Sequence, residues 1–156
     1  MNFKIKPLKE CDKNILIKLL NIHLNAFKKF IFRNWKYSDF EDLLNSGSEI
    51  FYYESDNKIF GFVVVNFISN FNEIITIAVD NVYQGKNIGK KLLEYVVSHP
   101  KYYGELYLEV SKNNINALNF YKIFGFKIIA ERKKYYLIYR GKNKGNRVDA
   151  LVMKFS

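Results

Sequence analysis

Ile74-Ile75-Thr76-Ile77-Ala78-Val79 is followed, four residues on, by Gln84-Gly85-Lys86-Asn87-Ile88-Gly89-Lys90-Lys91. The first run reads as a buried strand, while Ile88, Leu92, Leu93 and Val96 recur at helical spacing until Pro100 stops them. A glycine-bearing turn therefore opens a helix soon after a strand. Such a turn aims unpaired backbone N–H groups and the positive end of the helix dipole at one point, which suits a phosphate or pyrophosphate. Lys86, Lys90 and Lys91 accompany it with no acid among them. A Walker A loop is excluded, because only three residues separate Gly85 from Gly89-Lys90 and Lys91 stands where Ser or Thr is required. The dinucleotide fingerprint G-x-G-x-x-G is absent too. On spacing alone, an anion cradle and an ordinary turn before a basic helix stand level.

Upstream, Ile50 to Tyr53, a turn at Ser55 to Asn57, Ile59 to Phe67, a turn at Ser69-Asn70 and Ile74 to Val79 predict a three-stranded meander. Phe3 to Lys6 alternates apolar and basic until Pro7, which adds a fourth antiparallel strand. Leu16, Leu19, Leu20, His23, Phe27 and Phe30 mark a helix with Asp12 as N-cap. His23 lies on its apolar face and reads as a buried, hydrogen-bonded histidine rather than a ligand. Ser38-Asp39-Phe40-Glu41 has the form of a capping box with Ser38 at the N-cap and a short helix behind it. Trp35, just before, is a candidate to line a substrate cleft, against the commoner role of an anchoring aromatic.

Downstream come a strand from Glu105 to Val110, a helix marked by Ile115, Leu118, Tyr121 and Phe124 and closed by Gly125, and strands from Phe126 to Tyr139 and Val148 to Phe155. The order is β-α-α-β-β-β-α-β-α-β-β, an α/β (α+β) fold in a single domain. Glu109 interrupts an apolar strand end, either as a solvated terminus or as a partly desolvated proton acceptor. Tyr121 reads equally as helix core. The basic, Gly-punctuated loop Arg140 to Arg147 reads first as a solvated hairpin tip, with contact to an acidic acceptor or to RNA as the alternative.

The 156 residues carry 25 Lys plus Arg against 15 Asp plus Glu, 25 − 15 = +10, yet Lys, Asn, Phe and Tyr share A/T-rich codons, so the charge by itself is weak evidence for nucleic acid. Cys11 is the only cysteine, which excludes an intramolecular disulfide and a Cys-based zinc cluster; no metal is expected, and a reducing, cytoplasmic setting fits best. The N-terminus lacks an apolar signal-peptide core and no apolar run is long enough to span a membrane, so no membrane partner is expected.

The chain resembles the GNAT superfamily of N-acetyltransferases, in which a strand leads into Q/R-x-x-G-x-G/A at a helix start and a strand, a helix and an aromatic-Tyr segment follow. More narrowly it resembles the RimI-type ribosomal-protein alanine N-acetyltransferases, through Ile77-Ala78-Val79, Leu108-Glu109-Val110, Asn114, Tyr121, Gly125-Phe126, Tyr135-Tyr136 and Asp149-Ala150-Leu151-Val152-Met153. The resemblance implies one N-acetyltransferase domain over residues 1–156, with a mixed, mostly antiparallel sheet of about seven strands flanked by about four helices. Acetyl-CoA would lie between the strand ends near Val79 and Val110. It would pair with backbone at Ile77 and Val79, set its pyrophosphate on Gln84, Gly85, Lys86, Asn87, Gly89 and Lys90, and meet Asn114. Glu109 would be the general base and Tyr121 the group at the departing thiol, while Trp35, Tyr135, Tyr136 and Asp149 would face the acceptor.

That acceptor is expected to be the N-terminal α-amine of a protein, possibly ribosomal, with RNA contact only incidental. The alternatives are a small amine or antibiotic, or a non-catalytic basic binding module. The pattern departs at Asn87, where the motif's first Gly is expected, and at Leu137, where Pro is usual.

Overall fold

The structure, a computed structural model, describes residues 2–30 and 32–156. Its elements are β1 (Lys4–Pro7), α1 (Lys13–Ala26), α2 (Tyr37–Asn45), β2 (Glu49–Ser55), β3 (Lys58–Ile68), β4 (Phe71–Val79), a 3₁₀ turn (Asn81–Tyr83), α3 (Ile88–Ser98), β5 (Glu105–Ser111), α4 (Ile115–Phe124), β6 (Lys127–Leu137) and β7 (Arg147–Phe155). One seven-stranded sheet runs β1-β2-β3-β4-β5-β7-β6. All neighbours are antiparallel except β4 and β5, which are parallel because α3 carries the chain back between them.

Both faces of β2 and β3 are buried, which is why Phe60 to Val65 is a continuous apolar run broken only by Gly61. Phe51, Val63, Ile74 and Leu106 pack with Leu92, Leu93 and Val96 of α3 and Leu118 and Tyr121 of α4. Ile50, Phe62, Val64 and Ala78 pack on the other face against Leu16, Leu19 and Ile22 of α1 and Phe40 of α2. Leu106, Leu108 and Val110 of β5 alternate into the first cluster. Tyr107 and Glu109 therefore point to the opposite face, where α1 and α2 reach β3 and β4. That leaves a bay beside β5.

A bulge opens the sheet. Val64 pairs with Thr76 and Val65 with Ile74, so Ile75 is an extra residue in β4 and the strand bends there. Pairing between β4 and β5 covers only Phe71 to Ile74 against Glu105 to Leu108. Beyond it the strands splay, and a parallel sheet acquires a cleft at the carboxyl ends of two neighbours.

Several local expectations shift. Asp12 caps α1, accepting from the Asn14 and Ile15 amides at 2.9 and 3.2 Å, but the helix closes at Ala26, leaving Phe30 beyond it. The cap of α2 is Lys36, not Ser38: the Asp39 carboxylate accepts from the Lys36 amide at 2.6 Å and is gripped by Arg33 through two bonds of 3.0 Å. This forked ion pair, between residues six apart, favours one of two overlapping cap registers. β6 ends at Leu137 rather than Tyr139. Among the described residues no helix is long and apolar enough to cross a membrane.

Candidate active site

The splayed cleft has a main-chain wall. Asp80 donates its amide to Phe60 of β3 at 2.9 Å, so by strand alternation the N–H and C=O groups of Val79 and Ile77 face away from β3, toward β5, which no longer pairs with them. The Gln84 side chain closes the end of this wall, donating to the Val79 carbonyl and to Asn81 Oδ1, both at 3.0 Å.

At the mouth, Gly85 at φ 75° and Asn87 at φ 63° turn the chain into α3. Asn87 thus adopts the left-handed conformation its side chain tolerates better than most, and the loop keeps the shape glycine would give it. Its side chain makes no capping bond, so the first amides of an eleven-residue helix stay open to an anion. Gly89 suits its place for another reason: a Cβ there would stand 3.1 Å from the Phe120 ring of α4, so the two helices approach closely at this point. Lys90 reaches Glu94 at 3.6 Å, Lys91 turns away to the Tyr53 hydroxyl at 3.2 Å, and Lys86 lies over the Tyr83 ring. A backbone concavity, open helix amides and an unpaired strand edge suit a phosphorylated, amide-bearing arm such as that of acetyl-CoA.

Asn114 caps α4, its Oδ1 accepting from the Ala117 amide at 3.2 Å; its Nδ2 carries the remaining hydrogen-bonding capacity. Tyr121, from the same helix, is buried at 7% exposure between Phe120 and Phe126. Burial first, and the neighbouring Tyr136 second, push its phenol pKa well up, so it stays protonated through the neutral range.

The second wall is made of side chains. The Glu109 carboxylate pairs with Arg132 Nε of β6 at 2.7 Å while its side chain keeps 22% exposure. Tyr135 and Tyr136 stand beside it: the Glu109 carboxylate is the leading cause of the rise at Tyr135, and burial followed by Glu109 raises Tyr136. Two extra residues in β6 between Arg132 and Tyr136 make this bulge possible, with Lys134 at φ 49°. Asp149 holds it, accepting from the Lys134 amide at 2.9 Å. That bond, aided by Lys133, keeps its carboxyl below the ordinary range. Asp149 thus shapes the tyrosine wall from behind.

Glu73 joins this wall, and sequence reasoning passed over it. It opposes Tyr107 in the β4–β5 register, two residues from Glu109 on the same face. Burial, then the Glu109 charge, raises its pKa, with Arg132 opposing. The sequence around it, Asn72-Glu73-Ile74-Ile75, carries no alternation that singles it out, and it becomes a site feature once β5 is known to lie next to β4.

Trp35 packs with the α1–α2 cluster on the same face of the sheet. It stacks on His23 with centroids 4.4 Å apart and, with Arg33, Asp39, Leu43 and the bulge residue Ile75, lines a groove of about 430 Å³. His23 is buried as expected, held among the rings of Phe27 and Trp35, and burial lowers its pKa to about 4. The α1–α2 connection meets the tyrosine wall through Phe32 against Tyr136, 5.2 Å between centroids, and through Arg140, which donates to the Phe30 carbonyl at 2.7 Å. A larger hollow of about 510 Å³ between β1 and α3 contains none of these residues.

A family model described as Acetyltransferase (GNAT) family matches residues 16–126. N-alpha-acetyltransferase RimI of Mycobacterium tuberculosis is 39% identical over 66 residues, 42% of this chain and 41% of that protein. The ribosomal protein bS18 alanine N-acetyltransferase of Escherichia coli is 30% identical over 100 residues, 63% of this chain and 64% of that one. Spermine/spermidine N(1)-acetyltransferase of Bacillus subtilis is 32% identical over 91 residues, 51% of this chain and 59% of that one. The chain therefore spans less than two thirds of the length of these curated relatives.

Among solved structures, the ribosomal-protein-S18-alanine N-acetyltransferase from E. coli superposes with a TM-score of 0.82 at 23% identity, covering 99% of this chain and 93% of that one. A GNAT family acetyltransferase from Elizabethkingia anophelis with acetyl-CoA bound gives 0.73 at 21%, covering 99% and 98%. These two establish the likeness of fold.

Proposed function

Because this chain belongs to the acetyltransferase (GNAT) family, we propose that it transfers the acetyl group of acetyl-CoA to an amine, and that the acceptor is the N-terminal α-amine of a protein, most simply a ribosomal protein beginning with Ala. The observation that carries this reading is the gathering of Glu109, Tyr135 and Tyr136 in the bay beside the Ile77 backbone and the Val79 N–H, which β5 leaves unpaired. The RimI-type and bS18-directed relatives support the choice of acceptor.

When bound, acetyl-CoA supplies an acetyl thioester; the residues do the rest. The open amides from Asn87 onward would hold the pyrophosphate, with Lys86 and Lys90 adding charge, and Asn114 Nδ2 would donate to the arm. Ile77 and Val79 offer a strand edge, and the Val79 N–H, turned into the cleft, would stabilise charge growing on the thioester carbonyl oxygen. Glu109 takes the proton of the acceptor ammonium, directly or through water. An α-amine near ~8 sheds that proton far more readily than Lys near ~10.4, so one carboxylate suffices. Tyr121, protonated throughout the neutral range, would offer its O–H to the departing thiolate and help to position the sulfur. Tyr135, Tyr136 and Trp35 would flank an extended N-terminus, and Asp149 would act through the bulge it holds.

A second reading has one observation in its favour. Glu73 and Glu109 put two carboxylates in one bay, which suits a polyamine, and the B. subtilis relative is a spermine/spermidine acetyltransferase. Mass spectrometry of a peptide with a free N-terminal Ala and an internal Lys, incubated beside spermidine, separates the two. Acetylation at the N-terminus supports the proposal. Reaction of spermidine alone, or of the Lys alone, overturns it.

A further inference from the structure

The chain's positive charge is concentrated in one hairpin. Between Lys127 and Arg147, eight basic residues stand against Glu131 alone, a net of 8 − 1 = +7, which leaves 10 − 7 = +3 for all other residues. An even compositional bias would place 10 × 21/156, about +1.3, in a segment of this length. The surplus is therefore local to the β6–β7 hairpin, and codon usage does not account for it.

The structure divides these cations by task. Arg132 is taken by Glu109, Lys133 by Glu131 and Asp149, Arg140 by the Phe30 carbonyl and Arg147 by the Tyr135 carbonyl. Lys127, at the far end of β6 from the tip, and Lys134, Lys142 and Lys144 are exposed and make no ion pair among the described residues. The tip that presents two of them is tightly folded. Gly145 donates to Ile138 at 2.9 Å, Ile138 to Asn146 at 2.9 Å, Asn146 to Asn143 at 3.0 Å and Lys144 to Gly141 at 3.2 Å. Next to this tip the Tyr139 ring is 44% exposed.

We propose that the β6–β7 hairpin is a docking surface for single-stranded RNA, with Lys134, Lys142 and Lys144 on phosphates and Tyr139 stacked on a base. Charge complementarity argues for a polyanion, and an exposed ring within five residues of these three unpaired cations along the hairpin argues for unstacked bases. An acidic peptide would leave the Tyr139 ring idle, and a duplex would hide its base faces. The choice of RNA over other single strands rests on the ribosomal-protein reading of the acceptor. The surface itself does not, and binding can be measured with neither acetyl-CoA nor acceptor present.

Fluorescence anisotropy of a labelled 20-mer oligouridine with the full chain tests this. Three phosphate contacts give a slope near −2 in log K against log salt, about a 20-fold loss between 50 and 200 mM. Lys142→Ala with Lys144→Ala should flatten that slope by roughly 1.4, and Tyr139→Ala should weaken binding about fivefold or more at fixed salt. The exposed pair Lys9→Ala with Lys13→Ala serves as control and should change little, while unchanged melting of all variants excludes unfolding. Binding that is no tighter than to polyglutamate or to duplex DNA, or that falls equally in the control, overturns the proposal. Acetylation of an N-terminal Ala could still stand in that case.

Discussion

The two walls of the cleft are built from different materials. The wall proposed to hold the cofactor is main chain: the turned-out groups of Ile77 and Val79, the left-handed steps at Gly85 and Asn87, and the open amides of α3. The wall proposed to face the acceptor is side chain: Glu73, Glu109, Arg132, Tyr135 and Tyr136, aimed by bulges at Ile75 and before Tyr136. A main-chain wall tolerates a change of residue as long as the backbone keeps its path, which is why Asn87 can stand where glycine is usual. A side-chain wall changes character with every substitution. Cofactor recognition should therefore resist mutations that abolish transfer.

The largest expected effect lies on the acceptor side. Glu109→Gln should lower the rate of acetyl transfer by ~10²–10⁴, read as initial thiol release at saturating acetyl-CoA. Undiminished turnover would move the proton-accepting role elsewhere, with Glu73 the first residue to examine.

His23 comes next, because it backs the Trp35 side of the bay. Its folded pKa of about 4 lies below the ordinary 6.5, so as pH falls the unfolded chain takes up a proton that the folded one refuses. The contribution is full above 6.5 and is lost progressively toward about 4, by roughly 3 kcal/mol, or a few hundredfold in the folding equilibrium. Melting curves across that window should show the decline, and His23→Phe should flatten it. A profile identical in the two proteins would refute the assignment.

Much of this arrangement was legible because it is written in local pattern. The alternation of β2 to β4, the Asp12 cap, the stop at Pro100 and the left-handed tolerance of Asn87 each depend on neighbouring residues. Most of what escaped depends on distant ones: the hold of Asp149 on the bulge runs to Lys134, and Glu73 gains meaning only from the parallel pairing of β4 with β5. The Ser38 register was lost to a local contest, because the Asp39 carboxylate takes the Lys36 amide and Arg33 instead. Bulges leave no mark in hydrophobic periodicity, and here they aim the acceptor wall.

Two smaller effects sharpen the contrast. Asp149→Ala should release the Lys134 amide and let Tyr135 and Tyr136 move, raising the acceptor KM about tenfold with acetyl-CoA binding unchanged. A rise in the acetyl-CoA constant instead would place Asp149 on the wrong wall. Asn87→Gly should leave cofactor affinity equal or slightly tighter, by well under tenfold, since it relieves a strain of about 1 kcal/mol without altering the amides. Weakened binding, seen calorimetrically, would mean that the Asn87 side chain itself touches the ligand.

Calorimetric titration of acetyl-CoA into a chain carrying both Glu73→Gln and Glu109→Gln tests the division most directly. The dissociation constant should stay within about threefold of wild type while transfer to the acceptor is lost, because the cofactor is held by backbone the two substitutions leave untouched. A tenfold or greater loss of acetyl-CoA affinity, or transfer that survives both changes, would contradict it.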